Sequence, residues 1–277
     1  MRRTLSVELW LLNHLSTLVL AFAVVGGVVV LAVAGSVLTS RLKPSLVSGE
    51  HNDMVGVVLG MFGAIYGIIL AFVIVNLWTQ LETTETVVAT EATAASQIVR
   101  DARVFPDADR ARVNAAVADY VHAVVEQQWP LMRAGAGDFA RTADRVEAMY
   151  QSLRVYEPQT QAEQAFYGQA VDSLDELVAQ RRARIAQSNA ELPTLLKALV
   201  FGGALVILPL TFLYGIRSQG LRLLFVGSVA GLIGFSLLLV VVLDRPFAGD
   251  LCVSPMPFKQ SALAQFWPVQ PGPTTSH

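Results

Sequence analysis

The stretch that decides the fold runs from Gly49 to Trp78 and reads GEHNDMVGVVLGMFGAIYGIILAFVIVNLW. Between its polar ends lie 22 residues, Met54 to Val75, without a single charge. A helix needs about 20 apolar residues to cross the hydrocarbon core of a bilayer. The stretch therefore predicts a membrane-spanning helix and makes a membrane protein the first hypothesis for the chain.

Three further apolar runs have the same character and lie at about 15–38, 195–216 and 221–243. Two charges fall near their starts, Lys197 and Arg222, and we expect these long side chains to snorkel to the membrane surface. Overall, 53% of the residues are hydrophobic and 15% are charged, whereas soluble domains carry about 25% charged residues. We predict an all-α membrane protein with four transmembrane helices.

The segment 79–194 is different in composition from the apolar runs. It holds 17 of the 22 acidic and 11 of the 20 basic residues, which predicts a water-exposed helical domain between two transmembrane hairpins. The predicted divisions are 1–78 for the first hairpin, 79–194 for the helical domain, 195–243 for the second hairpin, and 244–277 for a C-terminal segment with a disordered tail.

The start of the helical domain carries a heptad pattern of small residues. The pattern consists of Val88, Ala92, Ala95, Val99 and Ala102, spaced 4, 3, 4 and 3 residues apart. Such a pattern places all five side chains on one helix face, which must be buried. Packing within one subunit and packing between subunits both explain this face.

Basic residues near the span ends predict the orientation in the membrane. Eight Lys and Arg residues flank the side that carries both termini and the helical domain, and four flank the other side. The positive-inside rule therefore places both termini and the helical domain in the cytoplasm. The first run also resembles a signal peptide with an Ala32-x-Ala34 cleavage site. Cleavage of residues 1–34 stays open beside the interpretation as an uncleaved span.

One face of the second span carries glycines spaced 4, 3 and 4 residues apart: Gly56, Gly60, Gly63 and Gly67. Small residues at this spacing let two helix backbones approach closely in a membrane. The simplest partner is the first span, which carries small residues of its own. Packing between subunits and a pore-lining role are the alternatives.

Polar residues mark the ends of the second and fourth spans. Asn52 or Asp53 is expected to cap the second span. Asn76, in the last turn of its apolar run, is expected to hydrogen-bond across helices or to contact a permeating ion. Asp244 and Arg245 are expected to order the exit from the fourth span through a salt bridge or a turn. The peptide PMPFKQSALAQFWP beyond them predicts a short helix on the membrane surface or against the helical domain.

Several functional classes have no support in the sequence. The chain has no Walker A, Rossmann, HExxH or GxSxG motif, and we predict that it is not an enzyme and needs no cofactor. One cysteine and four scattered histidines give no metal-binding spacing. A net charge of −2 without a basic run gives no indication of nucleic-acid binding.

Four motifs together carry a resemblance to a known family. They are ND-x-x-G from Asn52 to Gly56, Y-G-x-x-L-A-F-x-x-x-N-x-W from Tyr66 to Trp78, E-A at Glu91-Ala92, and D-x-P-F-x-G with Asp244, Pro246, Phe247 and Gly249. These motifs, spread over about 50–250, resemble a large family of mostly bacterial integral membrane proteins described as bestrophin-like. The layout of two hairpins around cytoplasmic helices is similar to that of true bestrophins, by analogy of fold.

This resemblance implies a homopentameric channel for chloride or another small anion in the bacterial inner membrane. Its pore would be lined by the second span, with a neck formed by Ile65, Ile69, Phe72 and Asn76 opposite the glycine face. The acidic calcium clasp of animal bestrophins has no counterpart here. The alternative function is a non-conducting membrane scaffold or signalling partner whose helical domain binds other proteins.

Overall fold

The structure is a computed structural model that describes residues 16–268, and no β-strand occurs in that range. The α-helices of this range are α1 (Thr17–Leu42), α2 (Asn52–Asp101), α3 (Asp107–His122), α4 (Trp129–Arg133), α5 (Ala140–Arg154), α6 (Gln161–Ser188), α7 (Thr194–Phe212) and α8 (Gln219–Leu243). A π-helical segment, Ala123–Gln128, joins α3 to α4. The predicted tail after Pro268 and the first part of the predicted leader lie outside the described residues.

Four of the described helices are long and apolar enough to cross a membrane: α1, α2, α7 and α8. The predicted all-α membrane fold is therefore confirmed. Internal contacts divide the chain into two units. The membrane unit comprises the chain up to Leu81 together with Glu191–Cys252, and the helical unit comprises Glu82–Ala190 together with the segment from Val253 onward.

Within the membrane unit, α1 packs along α8. Ala32 is buried against Val226 and Ala230. Further along the pair, a Cβ built on Gly234 would lie 3.2 Å from the Cα of Val25, which is tight contact with the backbone of α1. The small residues that allow close approach to the first span therefore lie on the fourth span, where dispersion between close backbones stabilises the pair.

The third span ends earlier than the predicted residue 216. Helix α7 stops at Phe212 because the chain then turns to bring Gly215 against the loop between α1 and α2. A Cβ on Gly215 would collide with the backbone of Gly49 and of Val47. Gly49 itself has a φ of 86°, which glycine adopts without steric cost.

The two basic residues expected to snorkel, Lys197 and Arg222, both have polar partners within the membrane unit. The Lys197 Nζ lies 2.6 Å from Asp244 Oδ2. Arg222 is only 8% exposed and donates from Nη2 to the Ser40 hydroxyl at 3.0 Å. Both side chains therefore end at polar partners of the membrane unit, and their snorkelling to the membrane surface stays a prediction.

In the helical unit, the heptad pattern faces the interior. Val88, Ala92, Ala95, Val99 and Ala102 are all buried within the single chain. This burial confirms packing within one subunit and makes a partner subunit unnecessary to explain these five residues.

The C-terminal segment packs into the helical unit as two 3-10 turns, Met256–Lys259 and Ser261–Phe266. Phe258 and Leu263 are fully buried, and the Trp267 indole donates to the Phe258 carbonyl at 2.9 Å. Of the two predicted locations for this segment, the structure has the one against the helical domain.

Candidate functional site: the second span and its polar ends

The face of α2 that is buried within the chain carries Tyr66, Leu70, Val73 and Leu77. These residues are spaced 4, 3 and 4 apart, so they lie on one helix face. This face lies between the glycine face and the predicted neck face. Helical periodicity in the sequence predicts the glycine face and the neck face but does not indicate this third face, through which α2 packs within the chain.

Tyr66 makes the contact between α2 and α7. Its ring lies against Gly203, where a Cβ would collide with the aromatic carbons. Its hydroxyl donates to the Val200 carbonyl at 2.8 Å. The phenol therefore has its hydrogen-bond partner inside an apolar interface, as a buried tyrosine requires. The glycine that permits the close approach lies on α7.

The glycine face of α2 is open from Gly60 to Gly67, contrary to the expected packing against the first span, while a Cβ on Gly56 would contact the Tyr214 ring at 3.6 Å. A Cβ built on Gly60, Gly63 or Gly67 meets nothing within 4 Å in the described part of the chain. Gly63 and Gly67 line a groove of about 380 Å³, whose other wall comes from α7 and α8. The expectation fails because α1 packs along α8 and because Tyr66, with its larger neighbours, holds α2 in place. Packing between subunits and a pore-lining role remain for the glycines.

The predicted neck residues share one face of α2 but differ in their surroundings. Ile65 is 58% exposed and Phe72 is 75% exposed. Ile69 is half-buried, and with Ile65 it borders a groove of about 470 Å³ between α2 and α7. Asn76 is exposed, and its side-chain amide makes no hydrogen bond with any residue from 16 to 268. Phe72 and Asn76 are therefore free to meet another molecule.

Asn52 at the start of α2 does not cap its own helix. Its amide nitrogen donates to the Gly215 carbonyl at 2.8 Å, and its amide oxygen accepts from the Gly215 N–H at 2.8 Å. This two-way pairing satisfies the backbone of the turn after α7, because an asparagine side chain reproduces both groups of a peptide unit. Asp53 beside it is exposed. The cap prediction for Asn52 is corrected to a clamp between two loops.

Asp244 forms a second clamp, at the end of α8. Its Oδ1 accepts from the Leu192 N–H at 2.6 Å, and its Oδ2 lies 2.6 Å from Lys197 Nζ. Arg245 lies with Nη2 2.9 Å from Glu191 Oε1. Salt bridges therefore order the exit from the fourth span, as expected, and each of the two residues pairs with the segment that leads into α7 instead of with the other. A buried carboxylate is stable there because it is paired and hydrogen-bonded.

The residues after Asp244 form a tight turn that returns to α1. Phe247 is buried, and Gly249 has a φ of 85°, which favours glycine. Asp250 then accepts from the Thr17 N–H at 2.7 Å, at the start of α1 where backbone donors have no partner within the helix. The D-x-P-F-x-G motif therefore connects the fourth span to the first.

The helical unit contains a buried ion pair that the sequence argument missed. Arg184 donates from Nε to Glu91 Oε2 at 2.7 Å and from Nη2 to Glu91 Oε1 at 3.0 Å, and both side chains are 0% exposed. The Tyr120 hydroxyl donates to Glu91 Oε1 at 2.6 Å, and Gln128 accepts from Arg184 Nη2 at 2.8 Å. This set of four, the Glu91 cluster, fully satisfies the carboxylate.

Burial and the neighbouring charges fix the protonation states in the Glu91 cluster. Burial, followed by the charge of Glu91, raises the pKa of the Tyr120 phenol well above its usual value. Burial alone would lower the pKa of Arg184, but the charge and hydrogen bonds of Glu91 raise it overall. The phenol thus stays a donor and the guanidinium stays charged. The sequence signal for this ion pair was Glu91 itself, because a carboxylate that lies among buried small residues requires a partner.

The described residues contain no group of three or more His, Cys, Asp or Glu side chains arranged to hold a metal ion. The fold and these contacts define the class of the protein. It is an all-α membrane protein in which polar side-chain contacts, the clamps described above, hold the ends of the spans together. The family model of the Bestrophin-like domain matches residues 26–258, and the chain belongs to that family. No curated protein and no solved structure matches the chain.

Proposed function

We propose that the protein is an oligomeric ion channel for small anions such as chloride, with α2 of each subunit lining a central pore. Membership of the Bestrophin-like family supports a membrane role. The observation that carries the proposal is the exposed, unpartnered amide of Asn76 on the same helix face as Phe72.

An amide without a hydrogen-bond partner is costly in an apolar environment, by about 2 kcal/mol or more. Lipid offers Asn76 no such partner, whereas a water-filled axis does. An asparagine amide also offers N–H donors to a small anion without carrying charge itself. A ring of such amides, one from each subunit, is therefore suited to receive a partly dehydrated anion at one mouth of the pore.

We assign Phe72 to the narrow neck of the pore. Its side chain lies one turn from Asn76 and is 75% exposed, more than that of Ile65. A ring of apolar side chains narrows a pore and gates it by expelling water. Ile69 contributes less to the neck than the sequence alone indicates, because its side chain is half-buried at the groove beside α7.

Assembly uses the surfaces of α2 that a single chain leaves open. Gly60, Gly63 and Gly67 offer backbone to a neighbouring helix, and close helix approach stabilises association in membranes. A homopentamer follows from analogy with bestrophins. The distribution of basic residues supports a cytoplasmic location of the termini and the helical unit, and the resemblance to a mostly bacterial family supports the inner membrane.

We expect Phe72→Ala to increase the open-channel current several-fold, because a smaller side chain widens and hydrates the neck. Ile69→Ala, the matched control on the same face, is expected to change the current much less. The measurement is single-channel recording of purified protein in planar bilayers. Equal currents in unmodified protein and in both variants would remove Phe72 from the pore. A purified oligomer that passes no ions would favour the scaffold function.

A further inference from the structure

Arg222 is a buried cation in the first turn of α8, a region to which the proposed channel function gives no role. Its side chain is 8% exposed. It lies against the last turns of α1, where its Nη2 donates to Ser40 Oγ at 3.0 Å. The contact joins the end of α1 to the start of α8. This position corresponds to the headgroup level of a bilayer, because both helices enter or leave the apolar segment there.

The chain gives this cation no negative partner. No carboxylate of residues 16–268 forms an ion pair with Arg222, and its buried Nε has no hydrogen-bond acceptor. The Ser40 hydroxyl is neutral and already donates to the Val37 carbonyl at 2.8 Å. Ser36, one turn earlier on the same face of α1, is a buried hydroxyl that also lacks a partner in the described chain. Buried charges are normally paired.

The local backbone makes the same place more positive. Helix α8 begins at Gln219, and its N-cap residue Ser218 makes no side-chain capping hydrogen bond. The free N–H groups of a helix N-terminus act as a partial positive charge, so they disfavour a cation and favour an anion. Burial and the start of α8 therefore oppose the charge of Arg222, whereas the carbonyl end of α1 near Ser40 favours it. A bound anion would remove both costs at once.

We propose that Arg222, together with the N-terminus of α8, forms a binding site for a phosphate-type oxyanion between the ends of α1 and α8. A guanidinium binds phosphate oxygens through paired N–H donors, and free helix N–H groups add further donors. The phosphodiester of an anionic lipid headgroup and free inorganic phosphate share this chemistry. The site is separate from the proposed pore, which depends on the exposed face of α2.

The test is the thermal unfolding of the full-length protein in lipid nanodiscs. One arm compares phosphatidylglycerol with phosphatidylcholine in phosphate-free buffer, and the other adds inorganic phosphate to phosphatidylcholine nanodiscs. We expect at least one anion to raise the unfolding temperature by several degrees, and Arg222→Gln to abolish that rise. The arm in which the rise occurs identifies the lipid or the free ion as its source.

Arg217→Gln is the matched control, because it removes the same charge from an exposed position five residues away. It is expected to keep the full rise in unfolding temperature. Should Arg222→Gln not fold, Arg222→Lys against Arg217→Lys decides the matter, with a reduced rise expected only for the former. No rise with either anion, or an equal loss at positions 217 and 222, would overturn the proposal.

Discussion

Replacement of Arg184 by methionine is expected to lower the free energy of unfolding of the helical unit by about 3 to 5 kcal/mol, because it leaves a buried carboxylate without its counter-ion. Glu91 is 0% exposed and receives two hydrogen bonds from Arg184. After the substitution, the Tyr120 hydroxyl is the remaining donor to that carboxylate in the Glu91 cluster. A single phenol cannot replace both the charge and the two donors.

The measurement is denaturant unfolding of the purified protein, followed by tryptophan fluorescence. Trp129 reports on this region, since its ring centroid lies 5.9 Å from the Arg184 guanidinium carbon. Arg182→Met, at an exposed position on the same helix, is the control and is expected to have little effect. The double variant Glu91→Gln with Arg184→Met should recover part of the loss. Equal stability of the position 182 and 184 variants would contradict the role of the ion pair.

The second large effect is expected at the clamp after the fourth span. Asp244→Ala should lower the stability of the membrane unit by about 3 kcal/mol, because it leaves a buried N–H without an acceptor and a lysine without its closest counter-ion. The affected partners are the Leu192 N–H and Lys197 Nζ, each 2.6 Å from an Asp244 oxygen. The segment entering α7 would then lose its attachment to the end of α8.

Thermal unfolding in detergent measures this loss of stability. The Asp244→Asn variant separates the contribution of the hydrogen bond from that of the charge. Asparagine keeps an acceptor for the Leu192 N–H but removes the charge that faces Lys197, so an intermediate stability is expected. Asp53→Ala removes an exposed carboxylate from the same unit and provides the control. If Asp244→Ala unfolds at the same temperature as Asp53→Ala, the clamp contributes nothing.

The spans were predictable because membrane insertion depends on a local property, the length of an apolar run. The packing partners of the spans were not predictable, because they depend on contacts between helices that are far apart in the sequence. The hydroxyl of Tyr66 finds its acceptor 134 residues later in the chain, and Asn52 pairs with a backbone group 163 residues away. No spacing within α2 indicates either contact, and none indicates that the first span packs along α8 and leaves Gly60, Gly63 and Gly67 open.

The candidate site was also predictable only as far as the local geometry of a helix determines it. Helical periodicity correctly groups Ile65, Phe72 and Asn76 on one face, since 3.6 residues per turn is fixed by the backbone. It does not indicate that Ile69 is half-buried beside α7, which depends on the position of that helix. The motif residue Glu91 was visible in the sequence, but its partner Arg184 lies 93 residues away.

The current through purified, reconstituted protein under a KCl gradient tests directly whether the protein conducts anions. The account predicts discrete single-channel openings whose current reverses close to the equilibrium potential of chloride. Reversal close to the equilibrium potential of potassium would contradict anion selectivity. The absence of current at every voltage, from a preparation verified as a folded oligomer, would contradict the channel itself.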